Sequence, residues 1–280
     1  MKSETIARQH RRDVSCPEGL MRQVNLFEPH VDINAHAGGG KSPQRDMNPD
    51  AHTAVITPIG LDWSRIRILL LDMDGTLLDR HFDDTFFLEV VPEAYAARYH
   101  LDLPTARQQV LAAYKEVEGT LAWYDLAYWA QRLELDISAL QNKVAHLIRP
   151  HPHVMTFLQQ LRERGYPLHL VTNAHAWSLR LKLAKTPIGP CLTSTTTSHD
   201  LGHPKEDPRF WQRLRERLNF NPDQALFIDD SEPILERAAA FGIGQLLHVA
   251  KPSSALPPVH ARRFLSVVGL HQVPLPWVSV

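Results

Sequence analysis

Four short, nearly continuous apolar runs punctuate the chain, at residues 66–71, 168–172, 225–228 and 245–249. Each has the length of a strand, and an unbroken run is what a strand covered on both faces presents, although one such run alone would also suit a buried helix. The positions between them repeat with helical period. Val154, Phe157, Leu158 and Leu161 stand at i, i+3, i+4 and i+7, and Phe210, Trp211, Leu214 and Leu218 form a comparable stripe. Ser231 is placed to cap a helix, Pro233 falls in its first turn, and Gly242 supplies a stop. Strand and helix alternate, which predicts an α/β domain with a doubly wound, mostly parallel sheet.

The first two runs are separated by a block, residues 81–149, with helical stripes such as Val110, Leu111, Tyr114 and Val117, then residues 121–133, and with no strand-like run. It is too long for a strand-to-helix connection and reads as an inserted helical cap, placed where it would cover the carboxyl ends of the strands. The core is then expected over residues 56–80 and 150–250. Residues 251–280, rich in proline, read as a mostly irregular tail, and Cys191 is expected to open an edge strand. Residues 1–55 are polar and aperiodic and read as a disordered extension, either a regulatory arm or the product of a start codon assigned too far upstream. Gly40-Lys41-Ser42 within it resembles the end of a phosphate-binding loop, but Ala35 stands where the first glycine belongs and Pro43 follows at once, so the match is rejected.

Composition narrows the function. Thirty basic residues against 31 acidic ones give a net charge of -1, which leaves no global field for nucleic acid or an anionic membrane. The cysteines, Cys16 and Cys191, match no zinc or redox spacing, no apolar run has the length of a membrane span, and no leader is visible, so a soluble cytoplasmic protein is expected. Among the 16 histidines, His151 and His153 flank Pro152 without a carboxylate at ligand spacing, and no metal role is given to them.

The candidate chemistry lies at the strand ends. The first run ends in Asp72-Met73-Asp74-Gly75-Thr76. Two carboxylates at i and i+2 of an extended segment share a side, and glycine allows a sharp turn directly after them. Asp229 and Asp230 follow the third run in the same position. Either pair alone would suit a turn or a helix cap; both at strand ends suit a hard cation such as Mg²⁺ held by oxygen ligands. The second run ends in Thr172 and Asn173 ahead of a helix, which suits a phosphate seat, and Lys205 offers positive charge to an incoming phosphoryl group.

In that order, Asp72-Met73-Asp74-Gly75-Thr76, Thr172-Asn173, Lys205 and Asp229-Asp230-Ser231 resemble the four motifs of the haloacid dehalogenase superfamily, over roughly residues 56–249. Residues 121–129, 202–207, 227–232 and 238–243 are similar to its bacterial GMP/IMP nucleotidase branch, in which the arm before residue 53 has no counterpart. The resemblance implies a Mg²⁺-dependent phosphomonoesterase. Asp72 would form an aspartyl phosphate, and Asp74 would act as general acid and then base. The metal would be held by Asp72, the Asp74 carbonyl and Asp230, with Asp229 acting through a water. Thr172, the amide of Asn173 and Lys205 would bind the phosphoryl oxygens. Asp74 separates a phosphatase from the dehalogenase branch but not from a phosphomutase. The substrate implied is a purine 5'-mononucleotide, with a sugar-phosphate phosphatase or phosphomutase as the alternative within enzymes and a non-catalytic phosphate-binding regulator as the alternative outside them. Trp123, Tyr124, Tyr128 and Trp129 could stack on a base or simply pack within the cap.

Overall fold

The protein's structure, a computed structural model, describes residues 60–276. The extension and its Gly40-Lys41-Ser42 segment lie outside the described residues. Six parallel strands form one sheet in the order β3-β2-β1-β4-β5-β6. They are β1 (Ile68–Leu71), β2 (Leu168–Thr172), β3 (Ser194–Thr197), β4 (Ala225–Asp229), β5 (Gln245–Val249) and β6 (Leu265–Val267). β1 lies at the centre, with Leu71 in register with Leu170 of β2 and Ile228 of β4.

Between β1 and β2 the chain builds helices α1 (His81–Thr85), α2 (Val91–Tyr99), α3 (Leu103–Val117), α4 (Leu121–Tyr124), α5 (Leu126–Leu133) and α6 (Ile137–Val144), with a π-helical turn at Phe86–Val90 joining the first two. These helices close on a hydrophobic centre of their own, around Tyr114, Trp123, Trp129 and Leu133. The stretch over residues 121–133 is broken rather than continuous. Asp125 accepts from Ala127 N and Tyr128 N, so its side chain caps α5 and ends α4.

The remaining helices are α7 (Val154–Glu163), α8 (Ala176–Lys185), α9 (Ser198–Leu201), α10 (Pro208–Leu218) and α11 (Glu232–Phe241). Successive strand residues point to opposite faces, and the packing follows. Leu69 and Leu71 join Phe157, Leu158 and Leu161 of α7 on one face. Ile68 and Leu70 join Phe210, Trp211 and Leu214 of α10 and Leu235 of α11 on the other. Every residue of β1 and β4 is buried, each large apolar side chain contributing about 1.5–3 kcal/mol.

Three local expectations are corrected. Cys191 ends a short 3₁₀ turn, and the edge strand starts at Ser194, where Thr193 Oγ1 accepts from Leu168 N to fix the entry. Residues 251–276 are more than a loose tail: β6 pairs with β5, Val267, Leu270 and Val273 are buried, and Trp63 Nε1 donates to Pro274 O. Ser231 occupies the cap position of α11, but its side chain makes no capping bond. Asp229 takes the Ser231 N–H instead.

Candidate active site

Because β1 is flanked by β2 and β4, the residues that follow these strands meet at one end of the sheet, at the point where the strand order reverses direction. Asp72, Thr172 and Asp229 all arrive there by strand register alone. The turn after Asp72 is tight: Gly75 N donates to Leu78 O, and Leu77 N and Leu78 N both donate to Met73 O. Gly75 has a φ of 92°, and a Cβ at that position would lie 2.4 Å from Asp230 Oδ2. Glycine is therefore required twice, for its left-handed backbone and for the close approach of the carboxylate.

Five carboxylates and three cations share the floor of this site. Lys205 Nζ lies 2.6 Å from Asp72 Oδ1 and 2.7 Å from Asp229 Oδ2. Arg80 Nη1 lies 2.8 Å from Asp230 Oδ2. Lys182 Nζ lies 2.8 Å from Asp74 Oδ1 and donates to both oxygens of Asp83, at 2.7 and 2.9 Å. Burial sets the proton affinities. It pushes Asp74 up to about 7, helped by the charge of Asp83 and opposed by Lys182. Burial likewise raises Asp229 to about 7, against the nearby Lys205 ammonium, and holds Asp230 well above the usual carboxylate range, against Arg80. Lys205 is raised as well: burial works to lower it, and the carboxylates of Asp229 and Asp72 outweigh that.

The phosphate seat predicted at the end of β2 is more committed than its sequence shows. Thr172 Oγ1 accepts from Ala174 N, which leaves its hydroxyl proton to donate. The Asn173 side chain is already engaged, with Nδ2 donating to Glu206 Oε2 and Oδ1 accepting from Lys205 N. Its side-chain amide therefore holds the Lys205 loop in place. Both oxygens of Asp229 are also engaged, one by Lys205 and one by Ser231 N. His248 Nε2 lies 2.9 Å from Asp230 O and fixes the backbone there.

The cavity above the carboxylates is walled by the inserted helices. Trp123, Tyr124 and Trp129 line it, as do Tyr114, Phe87 and Gln141, whereas Tyr128 packs edge-on against Trp129 away from it. Tyr124 Oη donates to Glu206 Oε1 at 2.6 Å and so ties the insert to the loop that carries Lys205. His175, at the start of α8, lies 3.8 Å from Asp125 of α5, a second point where insert and sheet domain meet.

Comparison with known proteins identifies the family. The family model for haloacid dehalogenase-like hydrolases matches residues 66–242. The chain belongs to that family. It is 37% identical over 209 residues to the GMP/IMP nucleotidase YrfG of Escherichia coli (strain K12), covering 75% of this chain and 94% of the relative. It is 24% identical over 168 residues to the pyrophosphatase PpaX of Bacillus velezensis, covering 60% of this chain and 76% of that one. Among solved structures, a haloacid dehalogenase superfamily phosphatase from Thermococcus onnurineus superposes with a TM-score of 0.62 at 22% identity, covering 74% of this chain and 95% of that chain, and so shares the fold. Family membership with these relatives makes the protein a hydrolase of phosphoric monoesters.

Members of the family generally use Mg²⁺, and the donors of this site suit it. Carboxylate oxygens of Asp72, Asp229 and Asp230 lie within 4.8 Å of one another, and Asp72 Oδ2 is buried without a hydrogen-bond partner. An all-oxygen set at that spacing fits a hard divalent cation. Arg80, Lys182, Asp83, Glu206 and Gln141 escape a reading of strand ends because they come from helices or from loops beside them. Lys182 does carry a signal: Ser178, Leu179 and Lys182 stand at i, i+1 and i+4, and all three are buried along one stripe of α8. A lysine in a buried stripe needs an anionic partner.

Proposed function

We propose that the protein is a Mg²⁺-dependent purine 5'-nucleotidase that works through a phosphoenzyme on Asp72. The observation that carries the chemistry is the pairing of Asp72 with a second acid, Asp74, whose side chain keeps about a fifth of its surface open to the cavity and whose carboxyl holds its proton up to about pH 7. The base specificity is supported by the 37% identity to a GMP/IMP nucleotidase and by the aromatic wall opposite the carboxylates.

In the first step the Asp72 carboxylate attacks phosphorus, the bond from phosphorus to the ester oxygen breaks, and Asp74 gives its proton to that departing oxygen, which leaves as a hydroxyl. In the second step Asp74 takes a proton from a water, the water oxygen bonds to phosphorus, and the bond to Asp72 breaks to release phosphate. Lys205 orients Asp72 through its bond to Oδ1 and faces the phosphoryl oxygens together with the Thr172 hydroxyl. The cation would be held by Asp72, the main-chain carbonyl of Asp74 and Asp230, with Asp229 reaching it through a water; when bound it neutralises charge on the phosphoryl oxygens.

The test is a panel of monophosphates assayed with Mg²⁺. Release of phosphate from GMP and IMP is expected to exceed that from sugar phosphates, and Asp72→Asn is expected to abolish it, with far-ultraviolet circular dichroism showing the fold intact. Conversion of a hexose 1-phosphate to its 6-isomer without net phosphate release would replace this reading with a mutase. Full turnover by Asp72→Asn would remove the nucleophile.

A further inference from the structure

Among the described residues of the insert that wall the cavity, Gln141 alone has a buried side-chain polar atom without a hydrogen-bond partner. Trp129 Nε1 donates to Trp123 O, Tyr114 Oη to Phe87 O and Tyr124 Oη to Glu206 Oε1, so these side chains present ring surface while their polar atoms are satisfied inside the protein. Gln141 is 1% exposed, lines the same cavity, and its Oε1 is buried with no hydrogen-bond partner. A carboxamide oxygen in that state destabilises the empty protein, and a leucine or methionine would pack there without that cost. A ligand that brings a donor to it resolves the conflict. We propose that Gln141 is the specificity-determining residue of the nucleotide pocket, where its carboxamide reads the hydrogen-bonding edge of a 6-oxopurine.

The chemistry of that edge matches. A 6-oxopurine presents a ring N–H beside a carbonyl, so one carboxamide can accept from the first through Oε1 and donate to the second through Nε2. The flat aromatic surfaces that line the same cavity suit the rings of that base. α6, which carries Gln141, packs against α5, which carries Trp129, so the amide and one of the two indoles of the wall come from neighbouring, packed helices. Among the described residues of the insert that line the cavity, Asp83 is committed to Lys182 and the remainder offer mainly ring faces or alkyl surface to a base, whereas Gln141 carries a donor and an acceptor on one planar group.

This inference rests on the nucleotidase reading, and its test separates the two. kcat/KM is measured for IMP, for purine riboside 5'-monophosphate, which lacks both the carbonyl and the ring N–H, and for p-nitrophenyl phosphate, with the wild type and with Gln141→Met. The wild type is expected to prefer IMP to the purine riboside analogue by roughly tenfold to a hundredfold, the range in which a paired buried group discriminates. In Gln141→Met that preference is expected to collapse to within about threefold, because the same interaction has been removed from both sides of the cycle. The thermal midpoint of the variant is expected to equal or exceed that of the wild type. Were Gln141→Met to retain the wild-type preference, Gln141 would not read the base. Should the variant fail to fold, equal turnover of IMP and the analogue by the wild type would overturn the proposal by itself. If instead the wild type hydrolyses p-nitrophenyl phosphate but neither nucleotide, the nucleotidase reading fails first and the proposal for Gln141 falls with it.

Discussion

Asp74 and Asp83 share one ammonium, that of Lys182, and the competition sets the proton on the acid that the proposed chemistry needs. Burial moves Asp74 from an ordinary 3.8 up to about 7, and the charge of Asp83 adds to the rise. Since the folded protein holds this proton more tightly than the unfolded chain, the group's contribution to stability declines as pH climbs from about 4 to about 7. The phosphoryl-transfer step runs in the same sense: it should be fastest with Asp74 protonated and fall as pH passes about 7. In Asp83→Asn one source of the rise is gone, so that fall should occur at lower pH than in the wild type. Single-turnover release of nucleoside measured from pH 5 to 9 reads this directly, and an unmoved profile would mean that Asp83 does not reach Asp74 electrostatically. None of this coupling is visible in a linear reading. Asp72, Asp74 and Asp230 are legible because each follows an apolar run that ends a strand, whereas Asp83 and Lys182 lie 99 residues apart on helices and meet only in the folded protein.

At the level of elements the difference between what could and could not be read follows burial. β1, β2 and β4 are buried on both faces and show themselves as apolar runs. β3 is Ser194-Thr195-Thr196-Thr197, an edge strand built of hydroxyl residues, so no apolar run marks it. β6 has only three residues and hides among prolines, yet Val267, Leu270 and Val273 bury their side chains against the main core. Removing residues 261–280 would therefore cost more than a loose tail could account for. Three side chains at about 1.5–3 kcal/mol each predict a fall in thermal midpoint of roughly 10 °C or more. It would also bare the edge of β5, which invites pairing between chains. Scanning calorimetry and size-exclusion chromatography of the truncated protein check both outcomes; an unchanged midpoint would show that β6 is dispensable.

Across the whole molecule, charge balance couples the sheet to the insert and to the cation. Three carboxylates, Asp72, Asp229 and Asp230, face two protein cations, Lys205 and Arg80, and Arg80 stands where the insert begins. The deficit is made good by protons, which burial favours on Asp229 and Asp230, or by a divalent cation that displaces them. A cation that binds only the folded state adds about 2.7 kcal/mol at a hundredfold excess over its Kd. For a body of this size that is a rise in thermal midpoint of roughly 5–10 °C on adding Mg²⁺ to protein treated with EDTA. The sign of the pH effect follows from the raised carboxyls: at pH 6 Asp229 keeps its proton and Mg²⁺ must expel it, whereas at pH 8 the carboxylate is already ionised, so the rise should be larger at pH 8. Asp230→Asn should flatten the Mg²⁺ response at both pH values while leaving the strands and helices in place, because the amide preserves shape and removes the charge. A wild-type midpoint indifferent to Mg²⁺ would show that Lys205 and Arg80 alone complete this site.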